Sequence, residues 1–321
     1  MIADLSTWRV APTLHWSEAW ATWLKLDYVK RGGGELSEKS LAAYLQDARH
    51  LAKWFAAKYD REFSPELLTV ENVRAYFEQQ AEQKDAVNSR NRRLASLRMI
   101  VKWCIAEGRL LSDPTLRQAR ARLMRLPRKA KDQDEISALE TVAITGSHLK
   151  RQTEHWGFLG ERDYIIWAIF KNTTLRIESI VNLDAEDIFL ETRILRVITK
   201  GDIEVEFPIN DELAGAIEHW LKTRPTNAKA LITDWNGRRL TTGQVRRRLY
   251  QIGEKAGMKV RPHDMRHTRG LEVYKKAIEL GLSAGEALDV TATLMGHRDR
   301  RTTLGYLRAS MEQLTMINNA T

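Results

Sequence analysis

At 321 residues, 43% of them hydrophobic, the chain holds enough apolar material for two compact domains that need no covalent staples. Its lone cysteine, Cys104, excludes an internal disulfide, Met1 to Pro12 lack the basic start and apolar core of a secretory leader, and no run approaches the about eighteen apolar residues of a membrane span. The expectation is a soluble cytoplasmic protein whose net charge of +9 favours a polyanion as partner, since bound cations displace condensed counterions, although charge alone does not single out nucleic-acid binders.

The first third reads as four amphipathic helices. Trp16, Trp20, Trp23 and Asp27 share a face that turns polar at its end, and the three glycines from Gly32 to Gly34 stop that helix. Ser37 opens the second, on which Leu41, Tyr44, Ala48, Leu51 and Phe55 recur at helical spacing. A third follows Thr69 and is expected to turn Val70, Val73 and Phe77 inward. The fourth runs from about Ser89 to Glu107, with Leu94, Leu97, Val101 and Cys104 on one stripe before Gly108. Cys104 beside Trp103 and Ile105 reads as a buried helix thiol.

The polar face of the fourth helix carries Arg90, Arg92, Arg93, Arg98 and Lys102 with no acid between them, which suits a phosphate backbone; a solvated basic face is the plainer alternative. From Arg117 to Lys131 seven cations, Arg128 and Lys129 among them, surround Pro127 and look like a basic linker. The expected division is residues 1–116 as a helical DNA-binding domain, 117–134 as linker and 135–321 as a second domain. That second domain is mostly helical with one hairpin, Arg193 to Thr199 and Ile203 to Ile209 flanking Lys200, Gly201 and Asp202. Thr242 to Ala256 reads as a helix closed by Gly257, with Arg246 and Arg247 as further candidates for DNA contact.

Six residues of this second domain form a set whose parts are individually weak and jointly specific: Arg176, Lys200, His263, Arg266, His297 and Tyr306. In the segments Thr174 to Ser179, Thr199 to Gly201, Pro262 to Thr268 and Leu294 through Tyr306, the chain resembles the tyrosine recombinase (phage integrase) family. The sharpest parts are a histidine three residues before Arg266 and a Gly–His pair with tyrosine nine residues beyond it. The resemblance covers the second domain and loosely the helical one before it.

Phosphodiester cleavage builds negative charge on the nonbridging oxygens, and fixed cations must meet it. Arg176 and Arg266 offer permanently charged, forked donors, and His297 can add another. His263 is a candidate base for the tyrosine proton or a further phosphate donor. Tyr306 would attack phosphorus and keep the strand as a covalent ester, so that rejoining needs no ATP. Lys200, at the hairpin tip, can protonate the departing 5′ oxygen. The resemblance implies chemistry without metal or other cofactor. Read singly, Arg176, Lys200 and Tyr306 are an ordinary ion pair, a turn lysine and a half-buried aromatic. His263 and His267, four apart, have metal-ligand spacing, but no third ligand follows and Arg266 would repel the ion.

Two features depart from the family pattern. The acid expected three positions after Arg176 is replaced by Ser179, with Glu178 one residue earlier, and one helical step turns a side chain by about 100°. The stretch from Tyr274 to Thr291 is also longer than usual. In the tail, Leu307, Met311, Leu314 and Ile317 would form an apolar helix face that must dock, on a neighbouring protomer by the resemblance or on its own domain.

The reading is a mainly α fold with a small β-hairpin or sheet, a two-domain DNA clamp with a helical core-binding domain and a mixed α/β catalytic domain. By resemblance it is a nucleoid-associated recombinase acting as a homotetramer on double-stranded DNA with paired inverted-repeat core sites, through a 3′-phosphotyrosyl intermediate and a Holliday junction, with no membrane involved. Type IB topoisomerase-like cleavage and a catalytically idle DNA-binding regulator remain the alternatives.

Overall fold

The structure, a computed structural model, describes residues 15–30, 36–122, 130–149, 155–199, 203–225, 227–296 and 302–304. The chain divides into two units, Met1–Arg125 and Leu126–Thr321. Among the described residues, no helix is long and apolar enough to cross a membrane.

The first unit holds α1 (Trp16–Lys30), α2 (Glu38–Tyr59), α3 (Val70–Glu82) and α4 (Val87–Ala106). Ser37 caps α2 by accepting from the Ser40 amide, and Thr69 and Asn72 cap α3 reciprocally, each satisfying a backbone donor that the first turn leaves orphaned. Trp20, Trp23, Leu51, Phe55, Tyr76, Leu94, Leu97, Trp103 and Cys104 fill the core between them. Burial pushes the Cys104 thiol up to about 12, as suits an inert core residue.

Three expectations for this unit need correction. Val70, the first residue of α3, is 38% exposed, and the inward face runs through Val73, Tyr76 and Phe77 instead. Helix α4 begins two residues before Ser89, after Ala86, without a side-chain cap. The stretch from Arg117 is not a free linker at its start: Asn91 clips it to α4 by donating to the Ala121 carbonyl at 2.9 Å and accepting from its amide at 2.8 Å, and Arg98 donates to the Gln118 carbonyl at 2.9 Å.

The second unit opens with α5 (Gln133–Thr145), capped reciprocally by Asp132 and Glu135. Then come α6 (Trp156–Asn172) and α7 (Ile177–Asn182), followed by an antiparallel sheet of β1 (Ile188–Phe189), β2 (Ile194–Thr199) and β3 (Ile203–Pro208) in that order. Four helices complete it: α8 (Asp211–Thr223), α9 (Thr242–Lys255), α10 (Pro262–Glu279) and α11 (Ala284–Leu294). Helix α6 is its axis, buried all round from Ile165 to Phe170. Leu195 and Phe207 pair across the hairpin and point into the core, whereas Val205, on the same strand as Phe207, is exposed.

Helix α9 ends at Gly257 in the left-handed region, with φ 73°, and the chain returns along α9 to start α10. That return needs Gly253, where an added Cβ would lie 2.5 Å from Val260 Cγ1 and 2.8 Å from the Met258 carbonyl oxygen. Gly253→Ala is therefore expected to destabilise the protein by about 1 to 3 kcal/mol in spite of its better helix propensity. Gly215→Ala, on an open face of α8, should stabilise by about 0.5 kcal/mol. Chemical denaturation of the two variants checks the opposite signs.

Candidate active site

Arg261 holds extended backbone before α10, and Pro262 at the first helical position needs no amide partner. His263 follows on the exposed first turn. Arg266 and His267, one turn on, are buried, Arg266 to 3% exposure. The spacing of three places His263 and Arg266 on neighbouring positions of one helix face.

Arg266 reaches out of its helix to two other segments. Its Nη1 donates to the carbonyl of Thr174, in the loop between α6 and α7, and its Nη2 to the carbonyl of Met295, at the end of α11. The Thr174 hydroxyl donates in turn to the Leu294 carbonyl, so the loop and the end of α11 are joined directly as well as through the arginine. Thr173 anchors the loop to α6, its hydroxyl donating to the Ile169 carbonyl at 2.8 Å. Gly270, one turn beyond Arg266, lets Met295 approach: a Cβ there would sit 2.8 Å from Met295 Sδ.

The frame thus formed presents Arg176, which caps α7 with extended backbone and an exposed side chain. Gly296, with φ 56°, faces it, and a Cβ on that residue would lie 3.6 Å from Arg176 Nη1. Arg176, Arg266 and the residue before His297 are therefore brought together from three segments, and His263 lies one helical turn before Arg266. His297, Tyr306 and Lys200 themselves lie outside the described residues, as do Arg128 and Lys129 of the basic stretch and the tail positions Leu307, Met311, Leu314 and Ile317. On α7, Glu178 is exposed and Ser179 half-buried.

A second polar cluster, invisible in the sequence, fixes α9. Asp163, fully buried on α6, accepts from Arg162 Nε and Nη2 at 2.9 and 2.7 Å and meets His148 Nε2 at 2.9 Å, while Arg248 of α9 lies 4.0 Å away. Burial pulls the Arg248 guanidinium below its ordinary range, with Asp163 opposing the shift. The same helix leaves Arg246 and Arg247 exposed.

The basic face of α4 is less uniform than its sequence. Arg92 donates to Asp47 of α2 at 2.5 Å, Arg93 donates to Gln80 at 2.8 Å and to Asp85, and Arg98 is taken up by Gln118. Lys102 stands 5.0 Å over the Tyr28 ring, and Arg90 is half-buried. The acids come from other elements, so a helix read by itself could not show them. Thr174, Met295 and Gly296 lay inside the motif segments without being assigned a part in the site, and Gly270, outside them, was missed.

The family model described as "Phage integrase family" matches residues 143–313, and that for its N-terminal SAM-like domain matches residues 29–108. The chain belongs to the phage integrase family. Tyrosine recombinase XerC of Mycobacterium sp. (strain KMS) is 28% identical over 297 residues, covering 88% of this chain and 92% of that protein. XerC of Corynebacterium efficiens is 26% identical over 285 residues, covering 87% and 83%. Among solved structures, the XerH site-specific recombinase in a post-cleavage complex with palindromic difH is similar at TM-score 0.69 and 14% identity, over 93% of this chain and 84% of that one. A lambda integrase tetramer bound to a Holliday junction gives 0.65 at 13%, over 90% and 76%. These likenesses show that the two-unit, mainly helical architecture is the family's fold.

The two arginines differ in what they hold. Arg266→Ala strands two carbonyl acceptors and should lower stability by about 2 kcal/mol or more, whereas Arg176→Ala, at an exposed cap position, should change it by less than about 0.5 kcal/mol. Thermal denaturation of both variants without DNA makes the comparison.

Proposed function

We propose that this chain is a tyrosine site-specific DNA recombinase. The observation that carries the reading is Arg266 bonded to the Thr174 and Met295 carbonyls, with Arg176 facing Gly296, the residue before His297, in a member of the phage integrase family. The relatives named tyrosine recombinase support it, as does the neighbour solved as a tetramer on a Holliday junction.

In this reading the Tyr306 oxygen attacks the scissile phosphorus, a phosphotyrosyl bond forms on the 3′ side, and the bond to the 5′ oxygen breaks. His263 takes the tyrosine proton, and Lys200 gives a proton to the leaving 5′ oxygen. Arg176, exposed and capping a helix, presents its fork to the nonbridging oxygens. A guanidinium has five N–H donors, so Arg266 can hold the frame through two of them and still place its charge beside the phosphate. His297, next to the glycine that packs on Arg176, adds a donor. The reverse attack by a 5′ hydroxyl rejoins the strand with no external energy source and no metal.

Residues 1–116 would grip one side of the duplex through α4 and residues 135–321 the other through α9, where Arg246 and Arg247 are exposed. Four copies would pair two duplexes bearing inverted-repeat core sites, with the tail face around Leu314 docking on a neighbour.

Covalent capture tests the reading. On a nicked duplex that traps the cleaved strand, the wild-type chain should leave a protein–DNA adduct on a denaturing gel. Tyr306→Phe should bind with the same salt dependence and leave none. An adduct at wild-type level from Tyr306→Phe would remove this tyrosine from the mechanism.

A further inference from the structure

Two adjacent arginines of α4 are treated in opposite ways by their surroundings. Arg93 is 15% exposed and its Nη1 is engaged by Asp85 and Gln80, so it ties α4 to the end of α3. Arg92 is 46% exposed, yet the carboxylate it touches, Asp47 of α2, is only 3% exposed. Asp47 accepts from Arg92 Nη1 at 2.5 Å and from the Ser96 hydroxyl at 2.6 Å.

A carboxylate sunk between two helices is costly unless its charge is met, and a surface ion pair of similar strength needs no such burial. What the arrangement achieves is orientation. Nη1 is tied downward to Asp47, and the long side chain is held in place before any ligand arrives. The remaining Nε and Nη2 edge carries two parallel donors, the pattern that matches O6 and N7 of guanine in the major groove. The carboxylate also cancels the local positive charge. A phosphate gains little from a neutralised pair, whereas a base edge, being uncharged, loses little.

We propose that Arg92, positioned by Asp47, reads a guanine in the recombination site, and that Lys102 on the same helix acts as a phosphate contact. This rests on the reading that the polar face of α4 meets DNA. Asp47 is thereby a positioning residue for sequence discrimination, and the run of cations on α4 is divided between reading and gripping.

The full-length chain is incubated with a library of random-sequence duplexes, and the bound fraction is sequenced. The wild type should enrich a motif containing a guanine. Arg92→Lys, which keeps the charge and loses the fork, should lower the preference for that guanine about tenfold, and Asp47→Asn should lower it at the same position. Arg92→Lys should not alter the salt dependence of binding, whereas Lys102→Ala should leave the motif intact and reduce the slope of log affinity against log salt by about one. Arg92→Lys alters an exposed position and carries the test even if Asp47→Asn lowers thermal stability.

An unchanged motif in Arg92→Lys overturns the proposal, and so does a reduced salt slope in Arg92→Ala with the motif intact. Loss of the guanine in Arg92→Lys but not in Asp47→Asn overturns the positioning role. A wild-type chain that enriches no motif contradicts site-specific recognition itself, and this inference with it.

Discussion

The site depends on one buried guanidinium. Arg266 joins the Thr174 carbonyl, 92 residues before it, to the Met295 carbonyl, 29 residues after it. Neither carbonyl belongs to the interior of a helix with a ready amide partner, and a buried acceptor left unmet is expensive. The arginine meets both, and the Thr174 hydroxyl closes the loop onto Leu294. Other packing details serve that knot. Gly253 lets the chain turn back to begin α10, Gly270 admits Met295, and the Asp163 cluster holds α9 against α6.

This arrangement gives the two arginines of the proposed mechanism different work. Arg176 is exposed and stands at a helix start, where backbone amides also favour negative charge. Arg266 is enclosed and cannot be replaced without loosening the loop that carries Arg176. A substitution at Arg266 therefore acts on geometry and charge together, and its effect on cleavage is not a measure of phosphate contact alone. In the first unit α4 also carries two neighbouring arginines held by acids from outside the helix, Arg92 by Asp47 and Arg93 by Asp85.

Much of the fold was legible because its signals are local. Ser37, Thr69 and Gly257 mark helix ends by chemistry that operates within a few residues, and the apolar stripes of α2 and α4 follow helical periodicity. Arg176, His263 and Arg266 were singled out for another reason: the short segments that carry them are recognisable without the residues between them. Contacts between distant elements were not legible. The acids that occupy Arg92 and Arg93 lie on α2 and in the turn before α4, and the acceptors that engage Arg266 are backbone atoms, which any residue supplies. Arg162, Asp163 and His148 fell in stretches with no motif. Val70 matched the helical spacing but sits at the margin of the core, where period alone does not decide burial.

The most direct test of the central claim follows amide hydrogen exchange without DNA in wild type and Arg266→Gln, at peptides containing Thr174 and Met295. If Arg266 ties these segments together, both should exchange faster in the variant, to a common extent, while peptides from α8 stay unchanged. Retained protection at both sites, or faster exchange at one alone, would contradict a frame held by this arginine.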